Sequence, residues 1–277
     1  MAAVSTATPD TLPPLDQLVP VARRLPPDPR EETLAALYAD EEPRRGACTV
    51  RANMVASLDG AAWGADGRSG SLNDAADWRV FRVLRALADV VLVGAGTARA
   101  EGYRALDRPR GLEHLRPAPL ELAVVTRSGR VPERLRVGDR PPFVLTGSDG
   151  AAPARAAVPA ERVVVVGPGG DLDLVAGLAE LARRGLRRVL AEGGPSLLGD
   201  LLAADLVDEL CVTTTPRVVG PGPGRIVAGP RPDAAAENHA GTVLPRDARL
   251  VHLLHAPQDR DDSPAGTTLA RWSLPIG

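Results

Sequence analysis

The chain has 277 residues, 44% of them apolar and 25% charged, with a net charge of −2, which suits one large or two small soluble domains with a full core. All 33 basic residues are arginines, scattered along the chain, so the sequence offers no basic patch for nucleic acid or an anionic membrane and excludes Schiff-base, pyridoxal-phosphate and P-loop lysine chemistry. No apolar run nears the ~18 residues of a membrane span, and the Pro-rich, acidic start lacks the regions of a signal peptide, so the chain reads as cytoplasmic.

Residues 1–46 are rich in Pro and charge and carry one helical stretch at 30–40 with Leu34, Leu37 and Tyr38; they read as an extension packed on the outside. From Thr49 onward, short branched-apolar runs alternate with helical stretches, so residues 47–277 read as one layered α/β domain. Strands are expected in CTVRANM, DVVLVG, ELAVVT, PFVLTG, RVVVVG, RRVLAE and ELCVTTTP, then in ARLVHLLH and TLARWSL. Asn73 or Asp74 can cap a helix running to about residue 88, with Val80, Phe81, Leu84 and Leu87 on its apolar face and Arg79, Arg82 and Arg85 on the other. Asp171 and Asp173 open a second helix with Leu174, Leu178 and Leu181 inward, and residues 196–203 form a short third one. No helix separates the last two strands. They predict an antiparallel hairpin on a mixed, mostly parallel central sheet in a three-layer arrangement.

Cys48 and Cys211 are far apart in apolar contexts and read as buried thiols; there is no CxxC, and of the four histidines, His114, His239, His252 and His255, the close pair in LVHLLH has no acidic neighbour, so no metal site is expected. The Gly- and Pro-rich residues 216–232 read as a wide loop.

Three glycine turns join a strand to a helix, the geometry that presents free N–H groups and a helix dipole to a phosphate. The turn at 168–173 carries two aspartates that would satisfy the helix start and repel an anion, so it is structural. At Gly193-Gly194-Pro195-Ser196-Leu197 two glycines permit close approach and Pro195 pre-sets the first helical residue, which suits a dinucleotide pyrophosphate. Glu192 must then point away from the phosphates, towards a substrate. The turn at Gly94, Gly96 and Thr97 is only a partial GxGxxG. Thr126-Arg127-Ser128 closes a strand with a guanidinium between two hydroxyls, a set suited to a phosphomonoester such as the 2′-phosphate of NADP.

In order, MVASLDG at 54–60, SGSLN at 69–73, LRA at 84–86, VLVGAGT at 91–97, LAEGGPSLLGDLL at 190–202 and LVDELCVTTTPRVVGPG at 206–222 resemble the reductase domain of the bacterial riboflavin-biosynthesis deaminase/reductase, over residues 48–275. The resemblance implies a dihydrofolate reductase-like fold, NADPH as cofactor, reduction of the phosphorylated ribosylaminopyrimidine 5-amino-6-(5-phosphoribosylamino)uracil, and a homodimer through the C-terminal strands. It implies Val55, Ser71, Thr97, Glu101 and residues 194–197 around the dinucleotide, and Ser69, Arg85, Arg108 and Glu192 around the sugar phosphate, with Arg85 as phosphate anchor and Glu192 a candidate proton source. Asp59 in SLDG reads as a turn residue rather than an acid. The chain departs from the family at Glu101-Gly102-Tyr103, where two acids and a proline are usual. A pterin reductase with Tyr103 stacked on a flat ring and a non-catalytic NADP sensor are the alternatives. The deaminase motifs HxE and PCxxC do not occur, so reduction alone is expected.

Overall fold

The computed structural model describes residues 12–39, 47–229, 245–257 and 265–275. Eleven strands form one sheet: β1 (Leu15–Val19), β2 (Arg23–Leu25), β3 (Thr49–Ser57), β4 (Val90–Gly94), β5 (Glu121–Val125), β6 (Phe143–Thr146), β7 (Val163–Val165), β8 (Arg188–Ala191), β9 (Glu209–Thr215), β10 (Arg249–His255) and β11 (Thr268–Ser273). Their spatial order is β2-β1-β10-β11-β9-β3-β8-β4-β5-β6-β7. Neighbours from β9 through to β7 pair in parallel, and those from β2 to β9 are antiparallel. The mixed sheet and the C-terminal hairpin of the sequence expectation are both present.

Helices cover the parallel part on both faces, which is why β4, and β5 after Glu121, are apolar rather than alternating. On one face lie α1 (Glu32–Leu37), α2 (Ala75–Leu87), α3 (Ala95–Ala100) and α4 (Ala151–Arg155); on the other lie α5 (Leu174–Arg183) and α6 (Pro195–Ala203). Caps stand where the sequence put them. Asp74 accepts from the N–H groups of Ala76 and Asp77 to start α2, and Asp173 accepts from that of Ala176 to start α5.

The N-terminal segment departs from expectation. It is not an outside layer: β1 pairs with β10 and extends the sheet, while Leu12, Leu15, Leu25, Leu34 and Tyr38 are buried. The helix is also shorter than 30–40, spanning Glu32–Leu37, and residue 40 lies outside the described residues. This segment covers part of the arginine face of α2. Arg79 is 1% exposed, with Nε and Nη2 donating to Glu31, Nη1 to the carbonyls of Pro13 and Leu25, and Nη2 also to that of Pro26. Arg82 is buried as well and donates to the carbonyl of Arg110.

Cys48 and Cys211 are buried free thiols, and burial pushes them up to about 11 and about 12. His252 is buried edge-on against Tyr38; burial, then Arg271 and Arg51, lower it to about 4. His239 lies outside the described residues. Among the described residues no group of His, Cys, Asp and Glu is arranged to hold a metal, and no helix is long and apolar enough to cross a membrane.

Candidate active site

Strand β8 inserts between β3 and β4, and the helices that follow β4 and β8 depart to opposite faces of the sheet: α3 to one, α6 to the other. Such a divergence leaves a crevice beyond the carboxyl ends of the strands, where ligands of open α/β sheets bind. Both uncharged glycine turns fall in it. The N–H of Gly94 donates to the carbonyl of Gly193 at 2.8 Å, and that of Glu192 to Leu92 at 2.9 Å, so the turns form one continuous wall.

Glycine is required there by contact as well as by conformation. A Cβ on Gly194 would stand 2.3 Å from Oγ1 of Thr97, and one on Gly193, whose φ is +82°, 3.1 Å from Sδ of Met54. The Gly193–Gly194 peptide is cis. Gly194 caps α6 with no side-chain bond, Pro195 holds the first helical position, and the first turn has no acid. The N–H groups of Ser196 and Leu197 are thus the open donors of the helix start. The turn before α5 is different, because the Asp173 carboxylate caps it and already accepts the N–H of Ala176. Geometry and donor chemistry therefore fit a pyrophosphate at 193–197 and not at 168–173.

One strand further along the same edge, Thr126 follows β5, and its Oγ1 lies 3.5 Å from Oγ of Ser128. The Arg127 guanidinium is 72% exposed and makes an ion pair with Asp200 of α6 at 3.5 Å. Val55 is half-buried on β3 and Gly96 is open, with nothing near its missing Cβ. Glu101 at the end of α3 accepts from the N–H and hydroxyl of Ser69, at 2.8 and 2.9 Å, tying the two loops together. Ser71 donates to the carbonyl of Arg68, and Arg217 donates to the carbonyl of Ser71.

Glu192 does point away from the glycine turn, and it is engaged. Its two oxygens accept Nε and Nη2 of Arg85, each at 2.7 Å, and Oε2 also accepts the Tyr103 hydroxyl at 2.5 Å. Arg85 lies 4.2 Å over the Phe81 ring; burial opposes its charge, but Glu192 outweighs it and holds the guanidinium firmly protonated. Burial, then Glu192, raise the Tyr103 phenol well above its ordinary range, so it stays a neutral donor. The cluster is an ion pair with a phenolic brace, its net charge already cancelled. Arg85 therefore reaches the crevice edge as one half of an ion pair with Glu192.

Arg108 is likewise committed. Nη1 donates to the carbonyls of Arg85, Ala86 and Ala88, closing the end of α2, while Nε and Nη2 donate to Ala118. Asp59 accepts from the Ser57 hydroxyl and from the N–H groups of Val219 and Gly220. Those bonds, that of Ser57 first, lower it to about 2, so it closes the turn as a carboxylate and has no proton to give near neutral pH. Sequence reasoning missed the Tyr103 brace and the Met54 contact; Tyr103 stood out only as a departure from the family pattern.

Three similarities bear on this site. The chain is 31% identical over 179 residues to the 2,5-diamino-6-ribosylamino-4(3H)-pyrimidinone 5′-phosphate reductase of Archaeoglobus fulgidus, covering 62% of this chain and 81% of that one. It is 34% identical over 176 residues to the enzyme of the same name from Methanothermobacter thermautotrophicus, covering 61% and 77%. The crystal structure of a pyrimidine reductase-like protein from Corynebacterium diphtheriae shares the fold, with a TM-score of 0.66 at 23% identity over 83% of this chain and 93% of that one. With the family model for the RibD C-terminal domain matching residues 48–252, the chain belongs to the RibD C-terminal domain family.

Proposed function

We propose that this protein is an NADPH-dependent reductase of a ribosylaminopyrimidine 5′-phosphate, converting the ribosylamino group to ribitylamino. The observation that carries the reading is the meeting of the two glycine turns at the divergence of α3 and α6, with an uncapped, acid-free start to α6. Residues 193–197 would hold the pyrophosphate, with Gly94, Gly96 and Thr97 as the facing wall and Val55, Ser71 and Glu101 at the border. Thr126, Arg127 and Ser128 would receive the 2′-phosphate. The bound dinucleotide supplies a hydride to C1 of the open-chain sugar imine, and a proton goes to the nitrogen. Glu192, fixed by Arg85 and Tyr103, offers its remaining lone pairs to sugar hydroxyls and orients C1. Ser69 lines the same opening.

The names of the two archaeal relatives favour the 2,5-diaminopyrimidinone phosphate over the aminouracil phosphate of the sequence expectation. The pterin alternative loses its motive, because the Tyr103 ring packs against the core and its hydroxyl is on Glu192. Leu253, Ala270 and Trp272, half-buried on the sheet face away from α1, support the homodimer through β10 and β11.

The deciding experiment is turnover of the purified chain with NADPH or NADH and each of the two pyrimidine phosphates, beside dihydrofolate. Turnover of a pyrimidine phosphate with preference for NADPH is expected, the preference falling about tenfold or more in Arg127→Ala. Absence of turnover with both pyrimidine phosphates would sink the reading, and NADPH binding without any hydride transfer would favour a sensor.

A further inference from the structure

Arg127, which would receive the 2′-phosphate of NADPH, has one side-chain partner among the described residues: the Asp200 carboxylate of α6, at 3.5 Å. The two charges favour different cofactors. A guanidinium selects a phosphate, whereas a carboxylate accepts the hydroxyls of an unphosphorylated ribose and repels a phosphate in the same place. We propose that Asp200 sets the cofactor preference against Arg127: it takes the adenosine ribose hydroxyls of NADH, opposes the 2′-phosphate of NADPH, and so lets the site accept both dinucleotides. The assignment rests on the reductase reading.

Three observations carry it. The first is the place of Asp200 on its helix. Leu197, Leu198, Leu201 and Leu202 are buried against the sheet, which leaves Ser196 and Asp200 together on the outer side of α6. Four residues apart, they are neighbours on one helix face, separated by about 6 Å of helix rise. Ser196 carries one of the open N–H donors of the helix start. The adenosine ribose is bonded to the pyrophosphate itself, so a pyrophosphate held by those donors brings the ribose within reach of the next turn, where Asp200 stands.

The second observation is the looseness of the pair. The side chains of Arg127 and Asp200 are 72% and 40% exposed, and one 3.5 Å contact between exposed charges is worth little in water. Arg79 with Glu31 and Arg85 with Glu192 close at 2.7 Å under far greater burial. Either member of the Arg127–Asp200 pair can therefore exchange its partner for a ligand at small cost, Arg127 for a phosphate and Asp200 for two hydroxyls. The third observation is the pair's immediate surroundings. Thr126 and Ser128 bring hydroxyls, their Oγ atoms 3.5 Å apart; a hydroxyl donates to a phosphate and accepts from a ribose equally well. They do not discriminate between the cofactors, and the opposed charges of Arg127 and Asp200 do.

The test is binding, read by fluorescence titration with NADPH and with NADH, in the wild type, in Asp200→Asn and in Arg127→Ala. Asp200→Asn keeps the shape of an exposed side chain and removes its charge. It is expected to tighten NADPH about threefold or more and to weaken NADH about threefold or more, so that the ratio of the two Kd values moves about tenfold towards NADPH. Arg127→Ala is expected to move the ratio the other way, weakening NADPH about tenfold or more while NADH binds as tightly as before or tighter. Added salt should shrink both NADPH effects, as it does for exposed charges. An unchanged ratio in Asp200→Asn, with both dinucleotides still bound, overturns this assignment and leaves the reductase reading standing. So does an equal loss for both dinucleotides, which would make Asp200 a support of α6 and not a selector. If the wild type binds neither dinucleotide, the reductase reading fails and this assignment with it.

Discussion

Replacing Arg79 by Met keeps the apolar stem of the side chain and removes its guanidinium, which is the contact that fastens the N-terminal segment to α2. Glu31 is 2% exposed, and after the change it holds a buried charge with its 2.7 Å partner gone, while the carbonyls of Pro13, Leu25 and Pro26 lose their donor. Stranding one half of a buried pair costs about 3–5 kcal/mol, a large part of the 5–15 kcal/mol that roughly bounds the stability of a domain. Urea unfolding followed by circular dichroism measures it directly. Limited proteolysis should show new cuts before residue 32, since β1 and β2 lose their fastening. The double variant Arg79→Met/Glu31→Met strands no charge, so it should lose less than the sum of the singles, by about 1–3 kcal/mol. A single variant within about 1 kcal/mol of wild type, or a strictly additive double variant, would refute the claim that this pair holds the segment down.

Other outcomes follow from the same structure. Burial, opposed by the Thr213 hydroxyl and reinforced by Asp74, raises Asp77 to about 7. The folded state therefore favours the neutral acid, and this contribution to stability is full below about pH 4 and is lost as pH rises towards 7. Asp77→Asn should flatten that fall in urea midpoints measured across the interval, and an unchanged slope would show that another group is responsible. Gly194→Ala drives a methyl to 2.3 Å from Thr97 Oγ1, so KM for NADPH should rise and stability fall by about 1–3 kcal/mol. Adding Thr97→Ala should restore part of both, because the remaining contact, to the Thr97 Cβ, is 3.7 Å. Tyr103→Phe removes a hydrogen bond to a buried carboxylate and should cost about 1–3 kcal/mol, with kcat/KM falling for the pyrimidine phosphate; an unaffected kcat/KM would show that the brace does not position Glu192.

The strands from β3 to β11 were legible because each carries a run of branched apolar residues bounded by turn formers, a signal that long-range packing only reinforces. β1 and β2 were not, since LDQLV and RRL are short and flanked by prolines, and their strand character comes from the pairing of β1 with β10, distant in sequence, and of β2 with β1. The same segment explains why the arginine face of α2 is buried. Helical periodicity sends Arg79 and Arg82 to solvent, and only the chain folded over them supplies Glu31 and the carbonyls that make burial tolerable. At the site, the glycine turns announced themselves through local chemistry: which residue caps, which repels, which lacks a Cβ. The partners of Arg85 and Arg108 are a matter of tertiary geometry. Glu192 stands 107 positions from Arg85, and no periodicity reports that they meet.

The pairing of Asp16 with His255 also sets an order of events during synthesis. At the roughly 5–20 residues per second of translation, β1 leaves the ribosome about 10–50 s before β10 is made. Until then the segment around β1 has no sheet edge to join, and the apolar side chains of Leu12, Leu15 and Leu25 have no finished core to enter. The reductase crevice, built from β3, β4 and β8, can take shape before that. β1 is thus the strand that waits longest for its partner, and a nascent chain stalled short of β10 would hold its beginning through Arg79 and Glu31 alone.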